Sequence, residues 1–415
     1  MSEKLAKLFR DKVAKSKDNG MKIEAEASIG YSTGFLSLDY LNGTVIHVKT
    51  KDKNFKYNSV GILDGSATTI IGRSGCGKTT LLLQIGSNII RPFKTSALFI
   101  DDIEGGANDR RIEILTRMDT EEIAERIVYR NTGITSENLY ERIKMIHDMK
   151  VENKQDYLYD TGYYDYKGER IYKLEPTVYM IDSIPLIMPK NIIEEDEMGG
   201  QMSATAIAKS NTFFFKKISQ LLKEANIILL CINHILDDVQ INPFAKKKLQ
   251  LSYLKEGERL PGGRAAIYLA NNMFRVDDNS KLKESEAFGI DGYIVDVTML
   301  KSRTNKCGKS VPMVFNLATG FDPDLSLFLL LKAEKRINGA GVSFYIDDRN
   351  DIKFSQRNFK EKLANNPELQ QIFAQACYEV LCGLISDVGG DEEEKVFSSD
   401  VSSLIYNMGQ SELVA

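Results

Sequence analysis

The residues best suited to chemistry stand together at Gly72-Arg73-Ser74-Gly75-Cys76-Gly77-Lys78-Thr79, with Thr80 directly after. Their spacing is G-x-x-x-x-G-K-[ST], a loop whose glycines let successive backbone N–H groups wrap a phosphate. A β-branched run, Thr68-Thr69-Ile70-Ile71, precedes the loop, and Leu81-Leu82-Leu83-Gln84-Ile85 follows with a helical character. That setting adds the positive end of a helix dipole to the loop. Lys78 is then expected on the β- and γ-phosphates of a nucleoside triphosphate, and the Thr79 hydroxyl on Mg²⁺. The competing explanation, a glycine-rich turn that matches by chance, does not account for the strand before it and the helix after it.

Three further apolar runs end in polar groups. Val178-Tyr179-Met180-Ile181-Asp182-Ser183 carries an aspartate where a Walker-B strand holds the metal shell near the loop threonine. Leu98-Phe99-Ile100-Asp101-Asp102-Ile103-Glu104-Gly105 ends in carboxylates, and a carboxylate at a strand's C-terminal end can position and polarise an attacking water. Glu104 is the candidate and Asp102 the reserve, against an ordinary acidic loop. Leu229-Leu230-Cys231-Ile232-Asn233-His234 places His234 or Asn233 where a hydrogen bond can sense the γ-phosphate.

Stepping outward to the elements that must hold these residues, runs 68–71, 97–100, 178–181, 227–232 and 293–300 are strand-like and alternate with helical stretches from about 44 to 323. This pattern argues for a mostly parallel sheet covered by helices. Residues 32–43 open the folded core with a capping serine or threonine before helically spaced apolar residues. Residues 136–150 read as a helix. Residues 157–172, within a tyrosine-rich insertion at about 151–174, read as a surface hairpin whose rings pack a β-surface or, less in keeping with such clusters, stack bases. Beyond Pro323, 344–354 reads as a hairpin around residues 347–351, and 358–384 as helices. The N-terminal 1–20 reads as an amphipathic helix, expected to pack on its own domain or on a neighbouring subunit. The division is therefore 1–30 helix and linker, 31–324 core, 325–385 small C-terminal α/β domain, and 386–415 acidic mobile tail.

The chain's 415 residues suffice for one large core with small appendages, and 43% hydrophobic with 27% charged residues is ordinary for a globular protein. No apolar run reaches the length of a membrane span, and residues 1–20 are charged rather than signal-like. Five scattered cysteines lack metal spacing, and one sits within the glycine-rich loop, so reduced thiols in a cytoplasm are expected. A net charge of −4 argues against nucleic-acid binding by bulk charge, although a local basic loop remains compatible with it.

Taken together, these segments resemble the RecA family of strand-exchange recombinases, most closely its phage UvsX branch. Ser32-Thr33-Gly34-Phe35-Leu36-Ser37-Leu38-Asp39 is similar to the family's S-T-G-x-L-S-L-D segment. Residues 98–105 resemble its L-F-x-D-x-E strand with Glu104 on the catalytic glutamate, 178–183 its Walker B, and Ile232-Asn233-His234 its I-N-[QH] switch. Leu300-Lys301-Ser302-Arg303-Thr304 resembles its K-S-R-T run, and Gly320-Phe321-Asp322-Pro323 its closing G-I-D-P. The match covers roughly residues 31–325 and extends weakly to about 385.

The resemblance implies a RecA-like P-loop ATPase core using ATP and Mg²⁺, with the site at a boundary between copies in a helical filament. It implies single- and double-stranded DNA as partners, and accessory single-strand-binding and mediator proteins. A first DNA loop would fall near 188–209, with Gly199 and Gly200, and a second near 236–264. The second carries Lys246, Lys247, Lys248, Lys255, Arg259 and Arg264 beside Phe244 and Tyr253, which suits phosphates and stacked bases. Gly262 and Gly263 allow a close backbone approach. Lys301 and Arg303 align with residues that reach the ATP of the adjacent copy. Where the family stacks adenine on a tyrosine, this chain has Arg111, whose guanidinium can also stack on a base. The rival expectations are a hexameric replicative helicase on the same core and a catalytically weak recombination mediator.

Overall fold

Short β-branched runs and leucine-rich helices alternate because each strand must bury both faces, and this alternation builds the molecule. The computed structural model describes residues 28–49, 54–164, 169–194, 201–237 and 250–385. The expected helix at 1–20 and the tail at 386–415 lie outside the described residues.

In chain order the described elements are helix α1 (Leu36–Leu41), strand β1 (Ala67–Gly72), α2 (Lys78–Ile90), β2 (Leu98–Asp102), α3 (Asp109–Thr116), β3 (Ile127–Arg130), α4 (Ser136–Glu152) and β4 (Thr177–Asp182). There follow α5 (Gln201–Glu224), β5 (Ile227–His234), α6 (Arg264–Leu269), β6 (Asn272–Leu282), β7 (Gly292–Ser302), β8 (Ser310–Asn316) and β9 (Gly320–Asp322). Helices α7 (Pro323–Ala333), α8 (Phe359–Asn365) and α9 (Pro367–Cys382) complete the set used below. The nine strands form one sheet in the order β9-β8-β7-β6-β1-β5-β4-β2-β3. From β6 to β3 all neighbours are parallel; β7, β8 and β9 extend the sheet antiparallel. The mixed α/β fold with a large, mostly parallel sheet flanked by helices agrees with the alternating pattern.

Parallel strands end on one edge, so Gly72, Asp102, Asp182 and His234 emerge side by side. The register states this directly: Asp182 pairs with Asp102, and His234 with Gly72. Strands β1 and β4 are buried along their whole length, so both place β-branched and apolar side chains on each face of the sheet. Period-two alternation then sorts their side chains. Val178 and Met180 join the cluster under α2, while Tyr179 and Ile181 join the cluster under α4 and α5.

The C-terminal elements share the first of these cores. Phe328 of α7 packs edge-on against Phe359 at 5.0 Å and Phe288 at 5.8 Å, and Phe359 carries the contact to Phe373 at 5.1 Å. The hairpin expected over 344–354 forms one step earlier, between Ile337–Ala340 and Ser343–Ile346, and Phe344 meets Phe354 only through an isolated bridge. Turn residues do stand at 347–351, but Gly341 and Val342 make the tighter turn that joins the paired strands.

The tyrosine-rich insertion does form a hairpin, Leu158–Tyr164 with Arg170–Leu174. Its base is packed rather than free. Tyr159 stacks edge-on against Phe93 at 4.9 Å and donates to the Tyr31 hydroxyl at 2.7 Å. Lys173 pairs with Asp64 at 2.9 Å. Beneath it, the Lys150 ammonium of α4 is 3% exposed and donates to the Glu175 carbonyl at 2.7 Å and the Thr177 hydroxyl at 3.0 Å. No helix among the described residues is long and apolar enough to cross a membrane.

Candidate functional site

The loop between β1 and α2 is shaped by its glycines. Gly77 caps α2 at φ +83°, a left-handed conformation, and a Cβ there would lie 3.1 Å from the Phe321 ring. The free N–H groups at the start of α2 therefore face the loop. Lys78, 6% exposed, curls back over the loop so that its Nζ donates to the Arg73 carbonyl at 2.7 Å. Cys76 is 2% exposed, donates to the same carbonyl at 3.0 Å, and has its thiol pKa raised by burial. It is a packing residue of the loop.

One residue further, the Thr79 hydroxyl donates to Asp182 Oδ2 at 2.6 Å, joining α2 to the end of β4. Asp182 is 2% exposed, and its Oδ1 is buried without a hydrogen-bond partner. Burial pushes this carboxyl up to about 6, with the Thr79 hydrogen bond opposing and the nearby Glu104 and Asp102 charges adding to the rise. An orphaned carboxylate oxygen beside a hydroxyl is what a hard divalent cation such as Mg²⁺ accepts. Among the described residues no cluster of three or more His, Cys, Asp or Glu side chains is arranged to hold a metal. A cation at Thr79 and Asp182 must therefore draw its remaining oxygens from phosphate and water.

The end of β2 separates the two carboxylates that the sequence leaves as alternatives. Asp102, 1% exposed, accepts from the Gly105 and Ala107 N–H groups at 2.8 and 2.9 Å and from the Tyr129 hydroxyl at 3.0 Å. It is consumed in folding the loop that carries Glu104. Glu104 stands at the rim, where Oε1 accepts from Ser183 Oγ at 2.6 Å and lies 2.5 Å from His234 Nε2. Burial raises the Glu104 carboxyl, but the Ser183 and His234 hydrogen bonds and the charges of His234 and Lys78 outweigh it and hold it below its ordinary value.

The end of β5 resolves a second pair. Asn233 is 1% exposed, and its amide donates to the Pro261 carbonyl at 3.0 Å while its oxygen accepts the His234 N–H at 2.8 Å. Asn233 ties down the far end of the second loop, and His234 is left to face Glu104.

Further ties around the site are set by partners distant in sequence. Gln84 of α2 exchanges both hydrogen bonds with the Phe321 backbone, at 3.1 and 2.7 Å, and so fixes β9 against the helix. Gly320 at φ +87° makes room for it, because a Cβ there would sit 2.7 Å from Gln84 Oε1. Ser183, adjacent to Asp182, was the one missed partner with a local signal. Arg111 stands over the first turn of α2: its guanidinium donates to the Leu317 and Ala318 carbonyls, both at 3.0 Å, and reaches Thr80 Oγ1 at 3.4 Å.

The remaining candidates lie apart. Lys301 and Arg303 close β7, whose antiparallel course brings Lys301 level with Met273 and Thr69 rather than with Gly72. The Lys301 ammonium donates to the Ile267 and Ala270 carbonyls at 2.5 and 2.6 Å, and burial with the Arg303 charge lowers it to about 8. Arg303 donates to the Tyr268 carbonyl at 2.8 Å. One chain does not bring this pair to its own 72–79 loop. Arg303 instead lines a 770 Å³ pocket at the opposite edge of the sheet with Lys216, Lys223, Arg264 and Tyr268. Of the second-loop residues, Lys255 pairs with Asp277 at 3.3 Å, and Arg259 and Arg264 are exposed. Gly262 and Gly263 both have φ +86°, with Gly263 capping α6. Gly199, Gly200, Phe244, Lys246, Lys247 and Lys248 lie outside the described residues. Compared with known proteins, the chain matches no protein-family model and no curated protein sequence.

Proposed function

We propose that this chain is an ATP-hydrolysing DNA recombinase on a RecA-like core, one that polymerises on single-stranded DNA and pairs it with a homologous duplex. The observation that carries the reading is the 2.5 Å contact between Glu104 and His234. It links the loop after β2 to the strand that opens into the second loop, beside the Thr79–Asp182 pair. Such a contact couples a water-positioning carboxylate to a loop suited to binding a strand.

In this reading Lys78 and the N–H groups of the 72–79 loop hold the phosphates, and Mg²⁺ between Thr79 and Asp182 neutralises phosphate charge when bound. Glu104, kept ionised at neutral pH, orients a water and takes its proton as the water oxygen attacks the γ-phosphorus, while the bond to the β–γ bridging oxygen breaks and ADP leaves. Ser183 holds the carboxylate in place. His234 exchanges its Glu104 contact for one to the γ-phosphate and back again, and Asn233 passes that movement to Pro261 at the end of the second loop. Arg111 offers a flat guanidinium near the start of α2 for the base.

The test is ATP turnover with and without single-stranded DNA, paired with electron micrographs of the same mixtures. Stimulation of about tenfold or more with helical filaments is expected, since the catalytic carboxylate is held by a DNA-responsive strand. Closed rings that unwind forked DNA would favour the helicase instead, and neither stimulation nor filaments would overturn the proposal.

A further inference from the structure

Arg73 is the second residue of the glycine-rich loop, yet its side chain leaves that loop. The guanidinium donates to Asp237 Oδ1 at 2.7 Å, with both side chains well exposed, at 62% and 70%. Asp237 lies 164 residues away in sequence. It ends the two-residue strand Leu236–Asp237, which pairs antiparallel with Glu258–Arg259 to form the stem of the second loop.

The other side of the stem is anchored differently. Glu258 and Arg275 make a two-pronged pair at 2.6 and 2.8 Å, and Arg275 also reaches Asp277 at 2.5 Å. Arg275 is 3% exposed. A buried two-pronged pair is strong and resists exchange, whereas an exposed single-pronged one is screened and gives way easily. The stem thus has a permanent anchor on the sheet and an exchangeable one on the glycine-rich loop. The exchangeable one is also the one beside the candidate nucleotide site. Lys78 Nζ lies 2.7 Å from the Arg73 carbonyl, so the ammonium expected at the terminal phosphates and the backbone of Arg73 occupy one side of the loop. A terminal phosphate there carries more charge than the single carboxylate of Asp237 and offers oxygens in the planar spacing a guanidinium prefers.

We propose that Arg73 is a specificity-determining residue that reads the terminal phosphate of a nucleoside triphosphate, and that Asp237 holds it in check until that phosphate arrives. A triphosphate draws the guanidinium off Asp237 and frees one side of the stem; a diphosphate leaves the pair closed. This rests on the reading of residues 72–79 as a triphosphate site.

The experiment titrates ATPγS and ADP, each with Mg²⁺ at low salt, against the full chain as wild type, D237N, R73Q and the double variant. Hydrogen exchange of stem residues 254–260 is followed in the same samples. D237N is expected to bind ATPγS about threefold more tightly with ADP unchanged, the size of effect an exposed pair can exert. R73Q is expected to lose a similar part of the preference for ATPγS over ADP, and D237N to add nothing in the R73Q background. Stem amides should exchange faster with ATPγS than with ADP in the wild type, and equally fast with both in D237N. Wild-type circular dichroism and thermal unfolding of each variant report an intact fold. Equal shifts for both nucleotides in D237N, or the same D237N effect with and without Arg73, would overturn the sensor alone. Wild-type protein that binds neither nucleotide would overturn the triphosphate reading, and the sensor with it.

Discussion

At the scale of single residues, the candidate site separates groups that hold its loops from groups left at its rim. Asp102 and Glu104 stand two apart on one loop, but Asp102 spends its oxygens on two N–H groups and a tyrosine, while Glu104 keeps its carboxylate at the rim under Ser183 and His234. Glu104→Gln should accept the Ser183 hydrogen bond as before, yet an amide cannot take a proton from water. Turnover is expected to fall by about 10²–10⁴-fold, with ATPγS affinity held within about twofold. Single-turnover kinetics beside equilibrium binding separates these effects, and a variant with wild-type turnover would remove Glu104 from the chemistry.

At the scale of elements, the same end of a helix can be an anchor and a liability. Lys150, near the end of α4, puts an ammonium under the insertion hairpin, where burial pulls its pKa down to about 7. The sign follows from where the protons sit. Below about 7 both folded and unfolded chains carry the proton, and folding bears the full cost of burying the charge. Between there and the ordinary lysine value, 10.5, only the unfolded chain is protonated, so stability rises with pH. Lys150→Met loses this dependence along with the hydrogen bonds to Glu175 and Thr177. The stability of the wild type relative to Lys150→Met is therefore expected to grow from pH 7 to pH 9, by up to about 1.4 kcal/mol per pH unit. Urea titrations at both values check it, and a flat difference would mean that Lys150 folds in its charged form throughout.

At the scale of the whole molecule, the two edges of the sheet carry different groups. One edge gathers the 72–79 loop, Glu104, Asp182 and His234; the other opens the basic pocket with Arg303 and Arg264. If copies stack edge to edge, each glycine-rich loop meets the next copy's cations. Lys78→Ala and Arg303→Ala proteins should then each be inactive alone. Mixed in equal amounts with DNA they should regain about a quarter of wild-type turnover, the share of random interfaces that join an intact loop to an intact Arg303. No recovery, or a fully active Arg303→Ala protein, would place the pair outside the site.

How much of this was legible in the sequence depended on distance along the chain. The glycine-rich loop, the apolar strands and the polar groups that end them were readable because each is set by its own neighbours. Gly77 needs a left-handed backbone where it stands, and a buried parallel strand must be apolar on both faces. Strand alternation with helices likewise announced the mostly parallel sheet. What the sequence left open was which polar group at a strand end faces the site, because that follows from partners far away. Ser183 reaches Glu104 across 79 residues, His234 across 130, Asp237 reaches Arg73 across 164, and Gln84 reaches Phe321 across 237. Residue types and spacing determined that a glycine-rich loop stands beside carboxylates and a histidine. Only the tertiary structure decided that Glu104 and His234 meet while Asp102 and Asn233 hold the loops, since hydrogen-bond partners are assigned by strand register and packing.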